Sequence, residues 1–439
     1  MSWERAISPR ALVAGGVIAY VALFNLTYVH FVGDVFTDQG YGYARPGFGV
    51  WAVLLVFSVF PAIWLPTRLG RVSGVAEWIL YLVVFVPSMT VPLYAVGAAT
   101  ADQLQLATVL GLALAVFPLA RRVPLLRLPQ VSLSPRSFIG LLGAMSVVTV
   151  TVMVWKLNFS FSLADIGAVY DVRADYADAV GEAGRAVAYL VGWQANVINP
   201  ALVVWGLHTR RWYLVTVGLG LQYLVFAATG LKGAVALLAV VLGLYVLLRS
   251  WRTPLGTAMA WGSTGALGAV TLAHITTSGP VATAGSSWIL SLLFRRALAT
   301  PGLMTGLYFD YFSGRPKANL DHSILGPFVE TPYVDPPPVL IGTTYFPDSS
   351  PWANGNLWAD GFANFGFVGI IAMTVLLVFG LYLADSFLRG RSLVVPALLL
   401  VAPLLPLVNT GLLTSLVTHG LALGVIVMIL APVTRDSPG

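Results

Sequence analysis

The chain has 439 residues, of which 58% are hydrophobic and only 10% are charged, and its formal net charge is +6. A soluble domain carries roughly 25% charged residues, so this composition excludes an ordinary soluble protein and favours lipid as the main solvent. The chain has no cysteine, which excludes disulfides, a thiol nucleophile and cysteine metal sites. Its small, dispersed positive charge gives no indication of nucleic-acid binding.

Apolar runs recur along the whole chain, and a bilayer core of about 30 Å takes roughly 20 apolar residues per helix. They predict an all-α, polytopic membrane protein with about 12 transmembrane helices. The first run is interpreted as a retained helix, because it is long enough to span and lacks a cleavage site. The predicted spans are 11–32, 48–65, 76–98, 104–120, 138–157, 186–207, 213–229, 233–249, 254–275, 366–385, 394–409 and 414–432. For the tightly joined pair 213–229 and 233–249, a single re-entrant element is the alternative.

Two long connecting segments divide the chain into five regions. The membrane regions contain five, four and three predicted helices, and the second long loop is expected to hold an interfacial helix and a lid. The boundaries are 1–157 for the N-terminal five-helix region, 158–185 for the first long loop, 186–275 for the four-helix region, 276–365 for the second long loop and 366–439 for the C-terminal three-helix region.

Short connectors on one side of the predicted membrane, together with the two tails, carry 15 of the 24 basic residues. The positive-inside rule therefore places that side, and both termini, in the cytoplasm. The two long loops and most carboxylates then face outward. The cytoplasmic side has no Walker motif or GxGxxG pattern, so ATP-driven transport by this chain alone is not expected.

Several basic residues break the positive-inside trend. Together they suggest an anionic ligand at the outer face, since the planar guanidinium fork binds phosphate oxygens bidentately. The window 286–312 predicts an interfacial or partly inserted helix, broken near Pro301, that holds two of them at head-group depth. For any single residue, a snorkelling anchor or surface salt bridge is the alternative. The candidate phosphate-binding residues are Arg173, Arg185, Lys232, Arg295 and Arg296.

The segment that follows Arg315 is rich in Pro, Gly, Asp and Asn, with aromatic residues among them. Its prolines exclude a long helix and predict an ordered, irregular lid. Aromatic rings beside amide and carboxylate groups are typical of sugar sites, where rings cover the apolar sugar faces and polar groups bind the hydroxyls. Interfacial anchoring of the aromatic residues is the alternative. The candidate sugar-binding residues are Tyr308, Tyr311, Asn356, Trp358 and Asp360.

The spacing of the histidines and carboxylates does not support a metal site. The five histidines show no HxxxH or HExxH spacing, and the chain has no D-x-D pair of the kind that holds a metal–diphosphate complex. No metal and no cofactor are therefore expected. A glycosyltransferase without a metal would need arginines to hold its leaving diphosphate.

Four stretches resemble the oligosaccharide repeat-unit polymerase family, the Wzy-like polymerases of O-antigen and exopolysaccharide. They are VYDVRADYADAVG (169–181), ATGLKGAVALLAVVLGLY (228–245), FRRALATPGLMTGLYFDYFSG (294–314) and NLWADGFANFGFVGII (356–371). These stretches resemble, in order, a Tyr-x-x-Arg segment, a Ser/Gly-Lys turn opening a helix, an arginine and Tyr-Phe block, and an Asn-led segment that ends in a helix start. The family's long Arg-x-Gly spacings are matched only loosely here.

The resemblance implies a membrane-embedded glycosyltransferase of the GT-C type, metal-independent and inverting. It would transfer a growing glycan from polyprenyl diphosphate to the non-reducing end of another lipid-linked repeat unit. The implied partners are lipid-linked oligosaccharides as donor and acceptor, membrane lipids and a chain-length regulator protein. The implied location is the inner, cytoplasmic membrane, with the active site facing the periplasm or exterior.

In this chemistry, clustered cations would stabilise the leaving diphosphate, and the acceptor hydroxyl would need a general base. His322 is the favoured base, because an imidazole with a pKa near 6.5 suits that role at neutral pH. Asp310 is the second choice, and Glu330 and Asp360 are further candidates.

Two other functions stay open. A transporter or flippase for lipid-linked oligosaccharide is disfavoured because the spans carry almost no charge and the two halves show no repeat. An O-antigen ligase, which moves finished glycan to another lipid acceptor, is not distinguished from a polymerase by composition.

Overall fold

The computed structural model describes residues 8–156, 184–230, 232–250, 252–277, 287–348 and 352–434, with isolated positions 172, 176, 178 and 181. Across these residues every regular element is a helix, and the prediction of an all-α protein is confirmed. In chain order the helices are α1 (Pro9–Val32), α2 (Phe48–Ile63), α3 (Ser73–Val96), α4 (Thr100–Arg122), α5 (Pro135–Lys156), α6 (185–209), α7 (Trp212–Thr229), α8 (232–250), α9 (Leu255–Thr277), α10 (288–313), α11 (Pro337–Tyr345), α12 (Leu357–Phe387), α13 (Val394–Val408), α14 (Leu412–Val417) and α15 (Leu421–Leu430).

Among the described helices, seven are long and apolar enough to cross a membrane, namely α1, α3, α4, α5, α6, α7 and α12. Shorter apolar helices are α2, the 236–250 part of α8, α13 and α15. A helix lies in each of the twelve predicted segments, so the polytopic character is supported by length and composition. The number of twelve spans stays a prediction.

The helices group into two compact units. The first contains the described parts of Met1–Pro124, Thr253–Leu381 and Leu407–Leu412. The second contains those of Leu125–Arg252, Tyr382–Pro406 and Leu413–Gly439. The candidate residues with described side chains all belong to the first unit.

Helices α1 and α9 form a close pair in the first unit. A Cβ added at Gly16 would lie 2.8 Å from the Cβ of Ala260, so the helix backbones approach as small residues allow. Eleven residues further along each helix, about three turns, the Thr27 and Thr271 hydroxyls are 3.0 Å apart and hydrogen-bonded. Small residues and a buried hydroxyl pair therefore hold this contact.

Helix α10 is buried within the first unit along its second half, whereas its first half exposes Trp288, Leu292, Leu293 and Arg296. It packs against α3 at two glycines: Cβ atoms at Gly302 and Gly306 would lie 2.7 Å and 2.8 Å from Pro87 and Pro92. Its stretch 301–309 has no exposed residue. Residues Ser291–Ala299, at its N-terminal end, form a nine-residue π-helix, a rare conformation that recurs at functional sites.

Helix α12 consists of two helical segments joined by a kink. Phe365 has φ −143° and ψ 19°, and Gly366 has φ 62° and ψ −147°. A side chain is strained at such a φ, which explains the glycine. The first segment begins at Leu357, inside the sequence that was predicted to be loop. Gly361 and Gly369 allow the two segments to approach closely across the kink.

Arginines satisfy free carbonyl groups at helix ends in the first unit. Arg10 donates hydrogen bonds to the carbonyls of Ala62 and Leu65, at the end of α2. Arg71 donates to three carbonyls at the end of α4, including that of Ala120 at 3.0 Å. Since the last turn of a helix leaves carbonyls without partners, these arginines act as C-terminal caps.

A buried ion pair joins α3 to α4. The carboxylate of Glu77 is fully buried and pairs with the Arg121 guanidinium, which also donates to the Trp64 carbonyl. The pair engages Oε2 of the carboxylate, and a charge opposite to it is what allows a carboxylate to be buried at all.

A polar network lies within the second unit, where α5, α6 and α7 meet. The Gln194 amide donates to Asn199 Oδ1 at 2.6 Å and to Ser146 Oγ at 3.1 Å. Asn199 in turn donates to Gln222 Oε1 at 2.9 Å. All four side chains are buried, so these bonds replace the water that polar groups lose in an apolar bundle.

Candidate functional site

His322 lies between two carboxylates in the first unit. Its Nε2 is 2.8 Å from Asp360 Oδ1, and its Nδ1 is 3.3 Å from Asp321 Oδ1. The three side chains are 13%, 13% and 15% exposed, in the order His322, Asp360, Asp321, so the group is largely shielded but open to a ligand. The shorter contact is a normal hydrogen bond, and the longer one is weak.

The loop that carries His322 is fastened to the first segment of α12. The Ala318 amide donates to the Ala363 carbonyl at 2.9 Å, and the Leu320 amide donates to Asn364 Oδ1 at 2.7 Å. The fully buried Asn364 also donates to the carbonyl of Asp360 at 2.8 Å. These bonds hold the backbone of the histidine loop beside the helix that carries Asp360.

The same loop uses unusual backbone geometry. Asn319 and Leu320 have φ of 54° and 67°, in the left-handed region that non-glycine residues rarely adopt. Such residues persist only where their surroundings hold them, and they cluster at functional sites. Here the bond from the Leu320 amide to α12 maintains the turn.

Gly411 makes room for the Asp360 carboxylate. A Cβ at this position would overlap both the carboxylate carbon and its oxygens. Any larger residue would therefore displace Asp360 from His322, so the glycine belongs to the site although it has no side chain.

Opposing effects act on the pKa of His322. Burial disfavours the imidazolium, but the hydrogen bonds and charges of Asp360 and then Asp321 outweigh it, so the pKa is raised above 6.5. A neutral imidazole whose Nε2–H is donated to Asp360 has an unprotonated Nδ1, which can accept a proton from a hydroxyl that replaces the weak contact with Asp321. The arrangement suits a general base that is oriented by a carboxylate.

Lys317 is the cation that precedes His322 on the same loop. Its ammonium lies 4.8 Å from the Phe362 ring centroid and donates to the Phe312 carbonyl. Its Cε is 3.5 Å from where a Cβ of Gly366 would lie, at the kink of α12. Burial lowers the pKa of Lys317.

The two arginines of α10 occupy different environments. Arg295 is buried, donates to Ser291 Oγ at 2.7 Å, and lies 4.9 Å and 5.4 Å from the ring centroids of Phe36 and Tyr41. Arg296 is exposed and has no hydrogen-bond or ion-pair partner among the described residues. Arg295 therefore helps to build the helix, and Arg296 is the guanidinium accessible to a ligand.

Asp310 is not hydrogen-bonded to His322. It accepts a hydrogen bond from the Tyr345 hydroxyl, in a cleft of about 210 Å³. Burial and the Asp310 carboxylate raise the pKa of Tyr345, which keeps its hydroxyl protonated as a donor. The cleft is lined by Gly40, Ala95, Val96, Leu307, Asp310, Tyr345 and Phe346. Asp310 thus marks a second concave feature of the first unit.

Three of the predicted sugar-binding residues are buried in the protein interior. Tyr308 donates to the Ala353 carbonyl at 2.9 Å, and the Trp358 indole donates to Thr374 Oγ1 at 2.9 Å. Asn356 caps α12: its Oδ1 accepts from the amides of residues 358 and 359, and its Nδ2 donates to Pro301 and Thr305. In this structure none of the three offers a surface to a sugar.

The other two predicted sugar-binding residues differ from these. Asp360 pairs with His322, as described above. Tyr311 is 9% exposed, and the Arg315 guanidinium lies 3.9 Å from the centroid of its ring.

The remaining phosphate candidates are covered only in part. Arg173 lies outside the described residues. Arg185 is the first residue of α6 and Lys232 is the first residue of α8. For these two the backbone alone is described, so their ligand contacts stay predictions.

The structure adds three residues that the sequence did not single out, namely Asp321, Asn364 and Gly411. The first is adjacent to His322 in the sequence, and the second lies in the NLWADGFANFGFVGII stretch, so both have a local sequence signal. Gly411 is 51 positions beyond Asp360 and has no local signal.

In the described part of the chain, no group of three or more His, Asp or Glu side chains has an arrangement that could hold a metal ion. Comparison of the sequence with protein-family models, and of the chain with curated proteins and solved structures, gives no match.

Proposed function

We propose that the protein is a glycosyltransferase that polymerises lipid-linked oligosaccharide repeat units. The observation that carries the proposal is the His322–Asp360 pair, a shielded imidazole with the Asp360 carboxylate 2.8 Å from Nε2 and a weaker contact, 3.3 Å long, between Nδ1 and the Asp321 carboxylate. The four stretches similar to Wzy-like polymerases give it further support, because two of them contain Arg296 and Asp360.

The proposed reaction is a displacement at the anomeric carbon of the donor glycan. The acceptor hydroxyl gives its proton to His322 Nδ1, and its oxygen forms a bond to the anomeric carbon. The bond between that carbon and the diphosphate oxygen breaks, and the electron pair leaves with the polyprenyl diphosphate. Asp360 stabilises the imidazolium that forms, and a guanidinium such as that of Arg296 balances the charge of the leaving group.

The direct test is incubation of the purified full-length protein in vesicles with one lipid-linked repeat unit and no other acceptor. We expect a ladder of longer glycans with release of polyprenyl diphosphate. Transfer only after a different lipid acceptor is added would point to a ligase instead. Transbilayer movement of the repeat unit without a new glycosidic bond would point to a transporter and overturn the proposal.

Replacement of Arg296 by Ala is expected to slow polymer formation by about tenfold or more, because an exposed guanidinium that binds the leaving diphosphate is lost. Its thermal stability should stay near that of the unchanged protein, since the exposed side chain has no hydrogen-bond or ion-pair partner among the described residues. The measurement is the initial rate of ladder formation together with a melting curve.

Arg45 provides the matched control, as another exposed arginine of the first unit. Arg45→Ala should polymerise at nearly the unchanged rate. Equal loss in both variants would indicate a general effect of surface charge, and equal activity would remove Arg296 from the mechanism.

The pH dependence of the reaction should follow His322. The base must be neutral, and its folded-state pKa lies above 6.5, so the rate should fall as the pH drops through that raised value. Asp360→Asn removes a group that raises the pKa and should move this acidic limb to lower pH. The pH–rate profiles of the two proteins test this, and an unmoved limb would contradict the role of Asp360.

The stability of the fold depends on the protonation of His322 in the opposite direction from the reaction rate. A histidine whose pKa is higher in the folded state stabilises the fold below its unfolded pKa, and this contribution is lost as the pH rises through the folded pKa. Activity and stability from this pair therefore change in opposite directions with pH.

A further inference from the structure

An apolar groove runs along the surface of the first unit between α4 and the second segment of α12. Its volume is about 390 Å³. Every side chain along it is apolar, and Val368 and Leu112 are 73% and 59% exposed. The groove is lined by Val109, Leu112, Phe367, Val368, Ile371 and Ala372.

The kink of α12 places the groove beside the histidine loop. The lining residues of α12 begin immediately after Gly366, where the helix resumes. The ring of Phe367 lies 5.2 Å from the ring of Phe362, and the Lys317 ammonium lies over that second ring. One end of the groove therefore adjoins the cation of the loop that also carries His322.

In any membrane, a surface groove between two apolar helices is in contact with lipid chains. A specific ligand is therefore distinguished from bulk lipid by a contact between its head group and the protein. Lipid chains are as apolar as the side chains that line the groove, and shape and the polar contact must supply the selectivity. A single ammonium at one end suits a phosphate.

We propose that this groove binds the isoprenoid chain of a polyprenyl diphosphate, with the Lys317 ammonium contacting its phosphates. The inference rests on the proposed function for the identity of the lipid. It adds the surface through which a lipid-linked substrate reaches the histidine loop, and it gives Lys317 a role that the sequence did not assign to it.

The test measures binding without turnover. Full-length protein in detergent is titrated with polyprenyl diphosphate, and the bound fraction is measured by native mass spectrometry. Val368→Trp fills the groove and should weaken binding by about tenfold, because the chain loses its packing surface. Val375→Trp is the matched control, since Val375 is an exposed valine on the same helix, beyond the groove. It should bind as the unchanged protein does.

Lys317→Ala tests the head-group contact. Binding of polyprenyl diphosphate should weaken by about fivefold, while binding of uncharged polyprenol should not change, since only the charged lipid can use the ammonium. Melting curves of both tryptophan variants show whether each is folded as the unchanged protein is.

The inference is overturned if both tryptophan variants bind alike while folded, or if a diacyl phosphatidylglycerol displaces the polyprenyl lipid at equal concentration. The second result would identify a general site for anionic lipid. Binding that follows the expected pattern in a protein that forms no polymer would leave the groove established and refute the proposed function alone. If the protein forms polymer but both tryptophan variants bind the lipid alike, the groove proposal is refuted and the proposed function stands.

Discussion

Replacement of His322 by Ala is expected to lower the rate of polymer formation by about a hundredfold or more, because the acceptor hydroxyl loses its general base. Two observations make the effect specific. The imidazole is only 13% exposed, and its Nε2 is held by Asp360 at 2.8 Å, so no other described histidine can substitute for it. The measurement is the initial rate of ladder formation from lipid-linked repeat unit.

His30 supplies the comparison, because it is an exposed histidine of the same unit. His30→Ala should retain nearly full activity. The double variant His322→Ala with Asp360→Asn should be no slower than His322→Ala alone, since residues that act as a unit do not lose activity additively. A fully active His322→Ala protein would refute the proposed mechanism.

Replacement of Arg121 by Ala is expected to lower the free energy of unfolding by about 3 to 5 kcal/mol. The fully buried Glu77 would lose its ionic partner, and the Trp64 carbonyl would lose a donor. Arg10 is a poor substitute, because its guanidinium already caps the end of α2. Thermal or denaturant unfolding of the purified protein measures the change.

The adjacent Arg122 offers a stringent control. It is exposed, and its replacement by Ala removes the same charge from the same helix end. Arg122→Ala should leave stability almost unchanged. Replacing both Glu77 and Arg121 by Leu should recover most of the loss, because no charge then stays buried without a partner. Equal destabilisation by the two single arginine variants would show that net charge, and not the buried pair, is responsible.

The all-α character and the positions of the apolar helices could be predicted from the sequence, because they follow directly from the composition and from the lengths of the apolar runs. The exception is the burial of residues 301–309 in the second half of α10. A run of apolar and aromatic residues around Arg295 has the same pattern in an interfacial helix and in a helix buried in a bundle. Only the close contacts of Gly302 and Gly306 with α3 distinguish the two, and those depend on which helix is adjacent.

The sequence indicated individual residues of the site, but it did not indicate which of them are in contact in the folded protein. His322 and Asp360 were each candidates by residue type, but 38 positions separate them, and their contact depends on a turn with left-handed backbone at Asn319 and Leu320. Nothing local predicts that turn. Likewise, Trp358 and Asn356 were chosen for their chemistry, but tertiary packing makes one a core residue and the other a helix cap.

The wide helical segment Ser291–Ala299 has a consequence for how this sequence can change. Each residue of an α-helix turns the chain by about 100°, and a π-helical segment accommodates extra residues within its turns. Deleting one residue there would restore the narrower helix but rotate everything after it. Thr305 would then lose its hydrogen bond with Asn356, the residue that caps α12, and Gly306 would lose its contact with Pro92 of α3. Point substitutions in this segment should therefore be tolerated far more often than single-residue deletions, and its length is under stronger constraint than most of its side chains.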